Sequence, residues 1–440
     1  MLFSAYLLLS AILLAQSAEA QAPTTTSPPS PSTGQLSLQD RLGQVLFVSV
    51  DSSNAEARRA EIEKGLVGGV LLQWGDYSLA QTKTLVDKLQ SWAAKSPSKI
   101  PLLIAADYEG GTVFTPTTLG LPNLPSNMMM GATGDEKNCA VLFYLAGQEL
   151  KKSGIHISFA PVLDVNTNSK NPVIGVRSFG ADPHLVGKLG TAVIKGLQAA
   201  GISAVAKHFP GHGAAHTDSH LALPLITLSD EELRTKHIKP FEDAIAAGSD
   251  GIMTAHVLYK NLDPKNPATF SEKIISKTLR GALGYTGVIF SDSLDMKGAA
   301  ATAGSIEKAA KLALLAGVDV LLLGGGQPQK TAELLLPETS DKVVAARLEA
   351  ASEAVLALKK KLGLFNSNPP DALQVDLAYQ DTARAIAERS ITLAWDKTAL
   401  VPLPKSDASE KKPRLCGIFF SPPRFSYELL EINKPLMEAG

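Results

Sequence analysis

The densest run of titratable side chains in the 440-residue sequence is Lys207-His208-Phe209-Pro210-Gly211-His212-Gly213-Ala214-Ala215-His216-Thr217-Asp218-Ser219-His220. Histidines stand at 208, 212, 216 and 220, a spacing that on a helix would form a one-sided metal stripe. Pro210, Gly211 and Gly213 exclude a continuous helix here, so the segment reads as a long adjustable loop. A metal-hydrolase barrel would also want a His-x-His pair ending its first strand, and Val48-Ser49-Val50 offers none. No metal and no cofactor is expected. Asp218 lies two residues from His220. A carboxylate so placed fixes an imidazole's tautomer and raises its basicity, which makes His220 a candidate proton donor and acceptor near neutral pH. The same pair suits a loop-stabilising hydrogen bond equally well. Further candidates are Asp107 and Glu109 in Asp-Tyr-Glu-Gly-Gly, Asp164, His256, Asp292 after Ser291, and Gly324-Gly325-Gly326. Asp292 has a second reading, a helix N-cap within Ser291-Asp292-Ser293.

These residues share a position: each follows a short apolar run. The runs are Val45–Val50, Gly69–Leu72, Pro101–Ala105, Ile157–Ala160, Ala204–Ala206, Gly251–Thr254, Val288–Phe290 and Val318–Leu323. Between them lie segments of helical spacing: Leu79–Ala94, Lys137–Ser153, Leu185–Ala200, Asp230–Ala247 and Ser305–Ala316. Glycines 154, 201, 248 and 317 stand where helices stop. Eight strands alternating with helices predict an α/β fold, a parallel (β/α)8 TIM-type barrel, over residues 36–365. A doubly wound open sheet gives the same beat, and the count of eight favours the barrel. In a barrel, chemistry gathers where strands end and loops begin, which is where these residues fall.

With the residues placed, the segment Lys207–Gly213 followed by Asp218-Ser219-His220 resembles the signature of glycoside hydrolase family 3, in its β-N-acetylglucosaminidase branch. Asp107–Gly111, Ala160–Asn166, Asn171–Gly180, Met253–His256 and Phe290–Asp292 agree with the family in the same order, over about Leu36 to Phe365. The resemblance implies a retaining β-N-acetylhexosaminidase that removes terminal β-linked N-acetylglucosamine from glycans or peptidoglycan fragments. It implies Asp292 as nucleophile, His220 as acid/base and Asp218 as the group orienting it. It also implies sugar contacts from Asp107, Arg177, Lys207 and His208. One feature departs from the branch: Thr112-Val113-Phe114-Thr115-Pro116 follows the Glu-Gly-Gly turn with no arginine. A β-glucosidase-type or phosphorolytic family member is the nearest alternative. A non-catalytic sugar-binding barrel would be expected to lack Asp292 or His220, and both are present. A phosphate-handling lyase or isomerase, suggested by the triple glycine, would need a strand-end lysine, and only Lys207 offers one.

Composition narrows the partners. Lys and Arg number 42 against 43 Asp and Glu, a net charge of −1, so no basic surface for nucleic acid is indicated. Two cysteines, Cys139 and Cys416, exclude a disulfide scaffold and leave their pairing open. Residues 1–20 hold the apolar run Tyr6–Ala15 and a small-x-small site at Ala18-Glu19-Ala20, the pattern of a signal peptide; an uncleaved anchor is the other reading. An exported, periplasmic or secreted protein with no membrane span after processing is expected. Residues 21–35 are a Pro/Thr/Ser-rich tether. Residues 366–440 hold an Asn-Ser-Asn-Pro-Pro linker, a helix at Leu377–Arg389, a strand at Leu415–Phe420 and a helix at Ser426–Asn433. These resemble the beginning of a second, α/β/α sandwich domain, either incomplete or docked onto the barrel.

Overall fold

Side chains on a strand alternate between its two faces, and a closed barrel turns one face inward to its axis and the other outward to its helices. A computed structural model of the chain describes residues 36–73, 79–111, 113–114, 124–366 and 378–390. Its eight-stranded parallel sheet is made of β1 (Leu46–Val50), β2 (Gly69–Leu72), β3 (Leu103–Ala106), β4 (Ile157–Ser158), β5 (Ser203–Phe209), β6 (Gly251–Thr254), β7 (Val288–Phe290) and β8 (Leu321–Leu322). The strands neighbour one another in chain order from β1 to β7, and β8 pairs with β1 through Leu46 opposite Leu321 and Phe47 opposite Leu322. A parallel bridge between Phe290 and Val320 joins the remaining edges. The ring excludes the open sheet and gives the expected (β/α)8 barrel.

The alternation is visible residue by residue. Phe47, Leu71, Leu103, Ala105, Ile157, Phe159, Val205, Met253, Phe290 and Leu322 share one buried cluster, the barrel interior. Their strand neighbours Val48, Val70, Leu72, Ile104, Ala204, Ile252 and Ile289 belong to a second cluster, packed with the helices. Inside, the Phe47 and Phe159 rings meet Phe290 edge to face, with centroids 6.2 and 5.7 Å away.

Several expected elements differ in their bounds, Val318–Leu323 narrowing to Leu321–Leu322 among them, and two differences have a local cause. β5 runs through Lys207 and His208 to Phe209 rather than ending at Ala206, because pairing with β6 resumes at Phe209 opposite Thr254 after an irregularity. The helix expected over Asp230–Ala247 is Asp230–Glu232, a π-helical stretch Leu233–Ile238, then Lys239–Ala246. Pro240 accounts for the widening: it has no N–H for the carbonyl four residues back, and its ring crowds that carbonyl. Helix Ala378–Arg389 packs on helices Glu136–Lys152 and Asn127–Thr133, and Arg389 pairs with Asp135 at 2.5 Å. It falls in the same compact unit as the barrel. The expected signal peptide and tether, Cys416 and the elements expected after Ser390 lie outside the described residues. Among the described residues no helix is long and apolar enough to cross a membrane.

Helix Lys342–Lys361 buries Lys359 completely, and its ammonium donates to Gln44 Oε1 at 2.6 Å. Burial without an anionic partner disfavours the charged form and pulls the pKa down to about 7. At acid pH the folded state must hold this charge in the core, whereas above the unfolded pKa near 10.5 the penalty is gone. Lys359→Met is therefore expected to raise the melting temperature, by more at pH 6 than at pH 9. Melting curves across that range check the sign and the slope.

Candidate functional site

The inward alternation continues beyond the last apolar residue of several strands, and polar groups take over at the mouth. Two residues past Ala105 stands Asp107, past Val205 stands Lys207, past Phe290 stands Asp292 and past Phe47 stands Ser49, with Asp51 two further on. A cavity of about 430 Å3 opens there. Leu71, Phe159, Met253 and Leu322 from the barrel interior line it together with Asp107, His220, Asp292, Asp295, Asp51 and Gln73. Its size is ordinary for a small-molecule site. A larger hollow of about 810 Å3 lies by the segments that lead into β3, β4 and β5, around Lys99, Ile155, His156 and Gly201. It is at the opposite end of those strands from the carboxylates, so its size does not make it the reactive site.

Four charges organise one wall. Lys207 Nζ lies 2.6 Å from Asp107 Oδ1 and 2.5 Å from Glu109 Oε1. Arg177 grips the same Glu109 with two parallel bonds, Nε to Oε2 and Nη2 to Oε1, both 2.8 Å. The side chains of Lys207 and Glu109 are 3% and 1% exposed, so each charge depends on its partners: Glu109 on Arg177 and Lys207, and Lys207 on Asp107 and Glu109. Burial pushes the Glu109 pKa up, but the charges of Arg177 and Lys207 and their hydrogen bonds outweigh it and hold the carboxyl down at about 2. Asp107, 26% exposed, is the member of this group that reaches the cavity.

Behind this wall a buried Asp164 orders two histidines. Its Oδ2 receives His208 Nδ1–H at 2.7 Å and its Oδ1 receives the His212 backbone N–H at 2.5 Å. A carboxylate accepts only, so His208 carries its proton on Nδ1 there and turns Nε2 away. Burial works against charge on Asp164, while His208 and His212 keep its pKa low. Asn171 ties the loop after β4 to the loop after β5 by donating to the His212 carbonyl at 3.0 Å. The close approach of these loops requires Gly213: a Cβ there would stand 1.9 Å from the Val165 carbonyl oxygen.

Asp292 follows β7 and accepts the Ser293 N–H at 2.7 Å. Burial opposes its charge; His208, His256, the Ser293 N–H and Lys207 outweigh that and lower its pKa. The next helix begins at Lys297 with Met296 before it, so Asp292 does not cap it. Asp295 is committed elsewhere, to the Ser293 hydroxyl at 2.7 Å and the Gly325 N–H at 2.8 Å, where it holds the glycine loop after β8. Across the cavity, Asp218 Oδ1 receives both the His220 backbone N–H at 2.8 Å and His220 Nδ1–H at 2.7 Å. This double grip leaves Nε2 for other chemistry, and the ring, 58% exposed, is open to it.

The structure thus brings Asp107, His220 and Asp292 to one cavity, with Asp218 behind His220 and with Lys207, Arg177 and His208 one layer back. The four evenly spaced histidines have separate fates: His208 on Asp164, His212 on Ser219, an exposed His216 near Asn168, and His220 on Asp218. Among the described residues no group of three His, Cys, Asp or Glu is placed to hold a metal. Sequence reasoning gave no role to Glu109 and Asp164. Glu109 stands two residues beyond Asp107, in the same inward alternation, which is a usable signal. Asp164 pairs with a histidine 44 positions away, which no local spacing shows. The departure at Thr112–Pro116 lies mostly outside the described residues, which include only Val113 and Phe114 of that stretch.

A closed parallel barrel with carboxylates, an imidazole and a balanced charge cluster at the C-terminal ends of its strands is the architecture of a barrel enzyme. The model of the glycosyl hydrolase family 3 N-terminal domain matches residues 37–358. The chain belongs to glycosyl hydrolase family 3 and is a glycoside hydrolase. Among its relatives is the beta-hexosaminidase of Nitrosomonas eutropha, 39% identical over 318 residues, which cover 70% of this chain and 88% of that protein. Beta-hexosaminidase A of Pseudoalteromonas piscicida is 40% identical over 246 residues, 52% of this chain, and there the chain spans only 41% of the relative's length. The solved family 3 beta-N-acetylglucosaminidase from Paenibacillus sp. str. FPU-7 superposes with a TM-score of 0.72 at 35% identity, covering 81% of this chain and 69% of that one.

Glu109 sets an acid limit on this site. Its folded pKa is depressed below the ordinary value of 4.5, so its stabilisation is complete above that pH and is lost as pH falls toward about 2. Glu109→Gln is expected to lower the melting temperature at pH 7 and to converge on the parent protein as pH falls from 4.5. A melting-temperature difference that stays constant down to pH 2.5 would contradict this charge assignment.

Proposed function

We propose that the protein is a retaining, exo-acting β-N-acetylglucosaminidase that works through a covalent glycosyl-Asp292 intermediate. The observation that carries this reading is the placement of an ionised Asp292 and of His220, held by Asp218, on one cavity sized for a sugar. The named relatives support the acetamido sugar.

In the first step an Asp292 carboxylate oxygen attacks the anomeric carbon while the bond to the leaving oxygen breaks, and that oxygen takes a proton from His220 Nε2. Asp218 keeps Nδ1 protonated and steadies the imidazolium from which the proton leaves. His220 is then neutral. In the second step its Nε2 takes a proton from water, the hydroxide oxygen bonds the anomeric carbon, and Asp292 leaves as carboxylate. A neutral imidazole does not repel an anionic nucleophile as a carboxylate would, so phosphate could replace water in this second step. Asp107 accepts from sugar hydroxyls. Lys207 commits bonds to Asp107 and Glu109 and keeps donor capacity for the ligand, Arg177 keeps further N–H donors, and His208, whose Nδ1 proton is committed to Asp164, offers Nε2 as an acceptor. We extend the reading to location: residues 1–20 would direct export and be cleaved off, the mature chain would begin at Gln21, and glycan ends or peptidoglycan fragments outside the cytoplasm would be its substrates.

Asp292→Ala is expected to lose essentially all turnover of aryl β-N-acetylglucosaminide, measured by chromophore release; full-speed turnover would sink the assignment. His220→Ala should lose about 10²- to 10⁴-fold on a disaccharide that needs its leaving group protonated, and much less on an activated aryl glycoside. N-acetylglucosaminide should be preferred to glucoside, and added phosphate should leave the rate and product unchanged. Equal rates on the two sugars would place the chain in another branch of the family, and formation of a sugar phosphate would make it a phosphorylase.

A further inference from the structure

Ser219 stands between the half-buried Asp218 and the exposed His220 and is itself buried. Its side chain turns away from the cavity, and its hydroxyl lies 3.1 Å from His212 Nε2. His212 is itself buried and fixed, because its backbone N–H is bound by Asp164 and its carbonyl by Asn171. Burial pushes the His212 pKa down to about 4, so the ring is neutral at neutral pH. Its Nδ1 has no partner among the described residues. An unpaired lone pair costs less than an unpaired buried N–H, so the ring proton belongs on Nε2 and is donated to Ser219 Oγ. The Ser219 carbonyl oxygen is held from the other side by the Gly298 N–H at 3.1 Å. Gly298 lies in helix Lys297–Ala303, which follows the Asp292 loop. A Cβ at position 298 would stand 2.9 Å from that same Ser219 oxygen, so glycine permits the approach.

We propose that Ser219 is a positioning residue for the acid/base, tying the Asp218–His220 pair through His212 to the loop after β5 and through Gly298 to the element after Asp292. Neither His212 nor Gly298 lines the cavity. What they fix is the stance of His220 relative to the nucleophile's own loop, which otherwise would be left to an exposed turn. The role rests on the reading of His220 as proton donor. A misplaced donor delays proton delivery to the leaving oxygen and leaves attack by Asp292 intact. The loss must therefore depend on how much protonation the leaving group needs.

The test measures kcat/KM, which reports glycosylation alone, on an N-acetylglucosaminyl disaccharide and on an aryl N-acetylglucosaminide with a strongly acidic phenol. Ser219→Ala, Gly298→Ala, Ser219→Thr and His220→Ala are compared with the parent chain. Ser219→Ala and Gly298→Ala are expected to lose roughly tenfold or more on the disaccharide but less than about twofold on the activated substrate. Ser219→Thr, which keeps the hydroxyl, should recover most of the disaccharide rate. Melting curves should show Ser219→Ala folded under assay conditions. Equal losses on both substrates, or no loss on either, would overturn the positioning role while His220→Ala still shows the split. If His220→Ala shows no split either, the acid/base reading itself fails, and the role of Ser219 with it.

Discussion

Two cations and two anions are linked by hydrogen bonds at the barrel mouth, with Lys207 and Glu109 at their centre nearly shut off from water. Asp107, Glu109, Lys207 and Arg177 sum to zero charge, and the cluster joins β3, β5 and the loop after β4. Breaking such a buried pair by removing one partner typically costs about 3–5 kcal/mol, because the charge left behind has neither water nor a counterion. The cluster therefore constrains where the loops go. Arg177 can reach Glu109 only if the segment from Asn171 to Arg177 folds back over the mouth, and Asn171 fastens that segment to the His212 carbonyl. The same geometry leaves one carboxylate, Asp107, with a face toward the cavity.

The rest of the site follows from what the barrel does with alternation. Leucine and phenylalanine layers fill the axis, and the first polar layer above them meets solvent only through the cavity. Asp292 stands in that layer with Lys207 near it and Phe159 and Met253 below, and its charge is maintained by its neighbours rather than by bulk water. His220 comes from outside the strand framework, on a loop. On the proposed reading this divides the labour: the nucleophile is rigid, and the proton carrier is placed by a tether through Ser219. A carboxylate and an imidazole in such different surroundings are suited to opposite roles, one charged throughout and one exchanging a proton.

Much of this was legible in the sequence. Eight apolar runs gave the barrel, and Gly69–Leu72, Gly251–Thr254 and Val288–Phe290 have the expected ends. Asp107 and Asp292 were singled out because each follows an apolar run, and His220 because Asp218 is two residues away, the reach of one carboxylate to a backbone N–H and a ring nitrogen together; all three line the one cavity. What escaped was pairing at a distance. Glu109 was noted in its turn, but its two cations lie 68 and 98 positions further on, and Asp164 binds a backbone N–H 48 positions ahead. Spacing along a chain carries local hydrogen-bond geometry; it carries charge balance only after the chain has folded. Pro240 is a milder case: the helix was expected unbroken, yet a missing N–H widened it into a π-helical stretch.

The central claim is that Asp292 becomes covalently bonded to the sugar. Its most direct test uses a fluorinated N-acetylglucosaminyl fluoride, whose good leaving group lets the intermediate form and whose ring fluorine slows its breakdown. After brief incubation and peptide mapping by mass spectrometry, the account predicts one added sugar, on the peptide that contains Asp292, fragmenting to that side chain. A sugar on Asp295 or Asp107, or steady turnover of the reagent with no labelled peptide, would contradict it.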